Sequence, residues 1–277
     1  MGKSTAQHLA SLQSEWAGPR KLERAGYVLD LADNLYLRRL HAETNREFRD
    51  ADGSELESVR GRPAKMKALC SSSALAVNVF DYWRDKPAAP LSQALAIGPI
   101  AALRFEYKCA NHPVGPRTPN IDVLLTLRDG TRLAIESKFC EPYGAKGAKA
   151  LSPKYFNKIE GFWEAKGATR TQKLAESLRS PWVHLDVPQL LKHLLGLSYE
   201  SQPTGYTLLY LWFDARTQEA RLHEREIQEF AAAIDGDPVA FRSMTYQDLF
   251  RKLSGALGGD DAEYGRYLQQ RYFREVA

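Results

Sequence analysis

Pro119-Asn-Ile-Asp-Val-Leu-Leu-Thr-Leu-Arg-Asp-Gly-Thr-Arg-Leu-Ala-Ile-Glu-Ser-Lys138 reads as a β-hairpin. Ile121 to Leu127 and Arg132 to Phe139 are two strand-like runs, and Asp129-Gly130 marks the turn between them. A two-residue loop would pair Asp122 with Ser137 and mix apolar with polar side chains on one face. A three-residue loop, Arg128-Asp129-Gly130, puts glycine at the left-handed position of a bulged turn. Partner numbers then add to 258. Val123 faces Ile135 and Leu125 faces Leu133 on an apolar side, while Asp122 lies opposite Glu136 on the other. A one-residue slip would invert every side chain, so the apolar pattern selects the second register.

That register has a chemical cost. Directly opposite residues have Cβ atoms roughly 5 Å apart, and like charges there repel. Two carboxylates so placed need a cation between them or a shared proton. Lys138 follows Glu136 by two residues, on the same face. Two carboxylates, a backbone carbonyl and waters form the hard-oxygen set that suits Mg²⁺ or Mn²⁺. A solvated strand face can alternate charges in the same way, so the hairpin around the acids carries the argument.

Around the hairpin the pattern is mixed. Residues 8–50 read as helical, and a helix is expected from about Ala64 to Trp83, with Ser71 to Ser73 oddly placed in its interior. Leu103 to Lys108 alternates as a half-buried strand. A helix is expected near 186–196, with Pro188 in its first turn and Gly196 as its stop. Tyr206 to Phe213 (YTLLYLWF) suits a strand covered on both faces. Further helices follow, with a strand near Phe241. This order implies a mixed sheet with helices on its faces.

The 277 residues are 44% hydrophobic and 26% charged, an ordinary globular composition. No run approaches the roughly 18 apolar residues of a membrane span. Net charge is unevenly spread. Residues 1–62 carry ten basic and ten acidic side chains (0), 63–213 carry 19 and 12 (+7), and 214–277 carry nine and twelve (−3). The positive middle points to an anionic partner. Eight basic side chains fall within 138–173, among them Lys146, Lys149, Lys154 and Lys158, interleaved with Tyr143, Tyr155, Phe156, Phe162 and Trp163. Lysines contact phosphates and aromatics stack on unpaired bases, so this stretch is expected to bind nucleic acid, without sequence specificity.

Three cysteines and a polar N-terminus imply a reducing, cytoplasmic setting. Gly2-Lys3-Ser4-Thr5 lacks the upstream glycine of a phosphate loop, and Ala6 breaks the myristoylation pattern. Cys109-x-x-His112 is half a zinc site, where a structural site shows two such pairs.

Pro119-Asn-Ile-Asp122 followed by Glu136-Ser-Lys138 resembles the signature of the PD-(D/E)XK nuclease superfamily. The longer strings SSSALAVNVF (71–80), IESKFCEPYG (135–144) and QLLKHLLGL (189–197) are similar to a bacterial restriction endonuclease-like branch. The likeness covers about 67–213. One departure is that the acid lies three residues after Pro119 rather than directly after it.

The resemblance implies an α/β (α+β) restriction endonuclease-like core, a mixed sheet in the order αβββαβ flanked by helices. Residues 1–62 would be a helical N-terminal extension packed on a nuclease domain, 63–277, with 214–277 as a C-terminal addition. It implies Mg²⁺ (or Mn²⁺)-dependent hydrolysis of DNA phosphodiester bonds. Asp122, Glu136 and the Ser137 carbonyl would hold the metal, and Lys138 would orient the attacking water and counter developing charge. Similar enzymes often add an acid, for which Glu55 and Glu57, before the first core helix, and Glu106, on the first strand, are candidates. A polar residue of the later helix often touches the site, which singles out Gln189 and His193, four apart on one face. DNA is expected ahead of RNA. Cutting both strands of a duplex would favour a homodimer. A repair or recombination nuclease and an inactive nucleic-acid-binding protein are the rival readings.

Overall fold

The computed structural model describes residues 4–20, 22–115, 119–144, 151–155, 161–178, 182–200 and 205–274. Its centre is a five-stranded sheet of β1 (Ile100–Tyr107), β2 (Ile121–Leu127), β3 (Arg132–Lys138), β4 (Tyr206–Trp212) and β5 (Ala240–Thr245), in that order. β1, β2 and β3 form an antiparallel meander, and β4 and β5 add on parallel to β3. This is the mixed sheet with flanking helices that the pattern implied.

The hairpin has the register in which partner numbers add to 258: Val123 pairs with Ile135, Leu124 with Ala134 and Leu125 with Leu133. Gly130 takes φ +86°, the left-handed conformation a bulged turn demands. Asp129 closes the loop by accepting hydrogen bonds from the Thr131 amide and hydroxyl.

Helices cover both faces. On one side lie α3 (Ser72–Phe80) and α8 (Tyr246–Ser254), where the Ser137 hydroxyl meets the Tyr246 hydroxyl at 2.6 Å. On the other lie α6 (Val187–Tyr199) and α7 (Gln218–Ile234), where Tyr210 Oη meets His223 Nε2 at 3.0 Å. Six of the seven β4 residues are buried, as its unbroken apolar run requires. Around this lie α1 (Thr5–Ala17), α2 (Ala42–Asp50), α4 (Ala89–Leu95), α5 (Thr169–Glu176) and α9 (Ala262–Tyr272). α2 runs beside β1, and one apolar core joins residues from Leu9 to Phe273.

Three helical expectations change. The 8–50 stretch is not helical throughout: after α1 comes a two-residue-strand hairpin, Glu23–Arg24 with Tyr27–Val28, turning on Ala25 and Gly26, both at positive φ. The expected 64–83 helix begins only at Ser72. Ser71 is its N-cap, accepting the Ala74 amide at 3.1 Å, so the serine triplet starts a helix rather than interrupting one. Gly196 does not stop α6, which continues to Tyr199. A Cβ there would lie 2.9 Å from His112 Cδ2 and 3.0 Å from Cys109 Sγ. The glycine is there for close packing.

Candidate active site

The β2–β3 ladder ends at Val123–Ile135, while β3 stays paired with β4 as far as Lys138–Trp212. Asp122, Glu136, Ser137 and Lys138 therefore sit at a fork, where β3 has lost its neighbour on one edge only. Asp122 bridges the gap with its side chain, and its Oδ2 accepts the Ser137 amide at 2.7 Å. The Lys138 carbonyl faces the other edge and accepts the Phe213 amide at 2.9 Å. Backbone direction alternates along a strand, so the Ser137 carbonyl faces the fork beside Asp122.

Glu136 is fully buried and ionised. Burial opposes its charge, but Lys138 and His193 more than offset this, and its carboxyl is held down at about 2. Its Oε1 accepts a hydrogen bond from Lys138 Nζ. Its Oε2 lies 2.9 Å from His193 Nε2, and neither atom has another partner. For Lys138, burial works against the ammonium, but Glu136, Asp122 and Glu141 raise its pKa above the ordinary lysine value.

Asp122 behaves in the opposite way. Burial and then Glu136 push its carboxyl well above the usual range, with Lys138 and the Ser137 amide pulling it back only in part. It is a half-buried acid lacking a full counter-charge.

Glu106 joins the same row. It falls between the pairs Phe105–Val123 and Tyr107–Ile121, which places it across from Asp122. Its backbone is left-handed, φ +50°, an unfavourable conformation for a non-glycine residue that persists where surroundings impose it. Asn120 Nδ2 holds its Oε2 at 2.9 Å. Burial first, then Glu55 and Glu136, push its carboxyl up to about 7. Glu55 stands close by, since a Cβ on Gly53 would touch both acids, at 3.5 Å and 3.8 Å. It is tied to Lys65 Nζ and accepts the Ser73 hydroxyl at 3.1 Å. Glu57 is exposed. A groove of about 520 Å³ between α2 and β1 has Glu106 and Asn120 in its wall.

The structure thus brings Asp122, Glu136 and Lys138 together, with Glu106 and Glu55 on one side and His193 on another. Gln189 is half-buried one turn before His193, and its backbone amide donates to Asp186 at the start of α6. His193 is the residue whose importance the sequence understated. Its spacing from Gln189 was the available signal, and its meeting with Glu136 depends on tertiary packing.

The basic stretch changes meaning. Tyr143, Tyr155, Phe162 and Trp163 are all buried, so they anchor the segment to the core and are not free to stack on bases. Lys154 lies 5.4 Å over the Tyr155 ring. Lys146, Lys149, Phe156 and Lys158 fall outside the described residues. Cys109 and His112 pack on Gly196, with His112 Nε2 3.2 Å from the Lys192 carbonyl, in a structural role.

The donor set fits a hard divalent cation. It offers carboxylate and carbonyl oxygens and an undercompensated acid. Among the described residues no three His, Cys, Asp or Glu side chains converge into a cage.

A five-stranded mixed sheet with two acids and a lysine at the fork of its strands is the core of a restriction endonuclease-like protein. The chain belongs to the family described as restriction endonuclease associating with ARP, whose model matches residues 7–273. The match takes in both helical ends as well as the sheet. No curated protein and no solved structure matches the chain. Among the described residues no helix is long and apolar enough to cross a membrane.

Proposed function

We propose that this protein is a Mg²⁺-dependent endonuclease that hydrolyses DNA phosphodiester bonds. The observation that carries the reading is the pairing of an undercompensated, half-buried acid, Asp122, with an ionised one, Glu136, at a strand fork beside a charged lysine. The family match favours DNA as the substrate.

Asp122, Glu136 and the Ser137 carbonyl would hold the cation. When bound, such an ion makes its water a better nucleophile and neutralises phosphate charge. The remaining chemistry belongs to the chain. A cation between Asp122 and Glu136 would offset the burial and repulsion that raise the Asp122 pKa, so both acids ionise when it binds. Lys138 has its pKa raised, so it is a charged donor and not a base. It can hydrogen-bond the attacking water and stabilise negative charge growing on the phosphate, and it cannot take the water's proton. Glu136 keeps that ammonium in place. Glu106, at about 7, is able to exchange a proton near neutral pH, which suits an acid that helps to bind a second water or phosphate oxygen.

The test is a plasmid cleavage assay with Mg²⁺ on the wild type, Asp122→Ala and Lys138→Ala. Cleavage is lost in both variants, while folding and DNA affinity survive. Undiminished cleavage in either variant removes that residue from the mechanism. A wild type that binds DNA with steep salt dependence and never cuts it is a binding protein.

A further inference from the structure

We infer that His193 is a positioning residue, pinning the Glu136 carboxylate from the side opposite Lys138 so that the cation-binding face of the fork is preset. The inference rests on the nuclease reading and deepens it.

A buried carboxylate has two oxygens to satisfy, and an ionised one left half-satisfied in a dry interior is costly. Lys138 engages Oε1. With nothing on Oε2, the carboxyl plane would be free to turn and follow the lysine. His193 Nε2 stands 2.9 Å from Oε2, and the side chain is 1% exposed. Neither atom has another partner. The imidazole is therefore committed to this acid. Each carboxylate oxygen keeps a second lone pair, so engagement by Lys138 and His193 leaves coordinating capacity.

The position of His193 is itself fixed from both sides. One residue earlier, the Lys192 carbonyl lies 3.2 Å from His112 Nε2. Three residues later, Gly196 lets α6 sit directly on Cys109 and His112. At the start of the helix, Asp186 caps it by accepting the Gln189 amide at 3.2 Å. The segment after β1 thus sets where α6 lies along the sheet, and α6 sets where the imidazole meets Glu136. Buried partners of this kind, behind the groups that hold a metal, commonly change affinity about tenfold to a hundredfold when removed.

The experiment uses full-length protein. Mg²⁺ uptake is measured by calorimetry without DNA, and kcat and KM are measured separately, for wild type, His193→Leu and His193→Gln. The glutamine amide reaches about as far as Nε2 and can donate, whereas leucine fills the space without a donor. His193→Leu is expected to weaken Mg²⁺ uptake about tenfold to a hundredfold. Its kcat falls while KM for DNA stays nearly constant, and His193→Gln recovers most of both losses. Wild-type Mg²⁺ affinity in His193→Leu overturns the inference, as does a His193→Gln protein no better than the leucine variant. Should His193→Leu fail to fold, His193→Asn, too short to reach Oε2, takes its place with the same expectations. A wild type that takes up no Mg²⁺ overturns the nuclease reading itself, an outcome distinct from unchanged uptake in the variants.

Discussion

Asp122→Asn should make the protein more stable and catalytically dead. Asparagine keeps an oxygen to accept the Ser137 amide, now 2.7 Å from Asp122 Oδ2, and removes only the charge. Two ionised carboxylates about 5 Å apart would repel by about 3 kcal/mol at an effective dielectric of about 20. Lys138 offsets part of that, which leaves a net cost of about 1–2 kcal/mol in the wild type without a cation. For a chain of this length each kcal/mol moves the melting temperature by about 2–4 °C. The variant should therefore melt about 2–8 °C higher in chelator at about pH 8. Excess Mg²⁺ then raises the wild type and not the variant, because only a protein that binds the ion gains from it. Scanning calorimetry with and without Mg²⁺ measures both effects. A variant that melts at or below the wild type in chelator would show that Asp122 is already compensated, and the case for a cation at the fork would fall.

Glu106→Gln should remove a pH dependence of stability. The folded pKa, about 7, exceeds the ordinary 4.5, so the folded state retains a proton that the unfolded state has lost. Wild-type stability thus falls as pH rises from 4.5 to about 7, and the glutamine variant gains about 2 kcal/mol on it above that window, discounted for partial exposure. Melting temperatures across pH in chelator check this, and a constant difference between the two proteins refutes it. Gly196→Ala should cost about 1–3 kcal/mol in urea unfolding, since its Cβ would come within 2.9 Å of His112 and push α6 outward. Because α6 carries His193, cleavage should fall with it; an alanine protein equal to wild type in both respects removes the packing argument.

The hairpin was readable because every signal in it is local. Period-two alternation, Asp129-Gly130 and the choice of apolar face left one register, and the acids followed from it. The start of α3 was not readable from periodicity, because Met66, Leu69 and Cys70 extend the apolar stripe back across the cap at Ser71. Gly196 carries the composition of a helix stop, and only its neighbours Cys109 and His112, far away in sequence, reveal its purpose. The left-handed backbone at Glu106 has no local signature in an alternating strand. Tyr143, Tyr155, Phe162 and Trp163 gave the wrong impression because composition cannot tell a stacking platform from an anchor. His193 and Glu136 meet only once α6 is laid on the sheet.

The middle residue of the Glu-x-Lys string gives the C-terminal helices leverage over the chemistry. Ser137 turns its carbonyl toward the acids and its hydroxyl toward Tyr246, 2.6 Å away on α8. Any tilt of that helix is transmitted through one short side chain to an oxygen at the strand fork. On the proposed nuclease reading, a shift of α8 would move an oxygen of the site without touching the substrate.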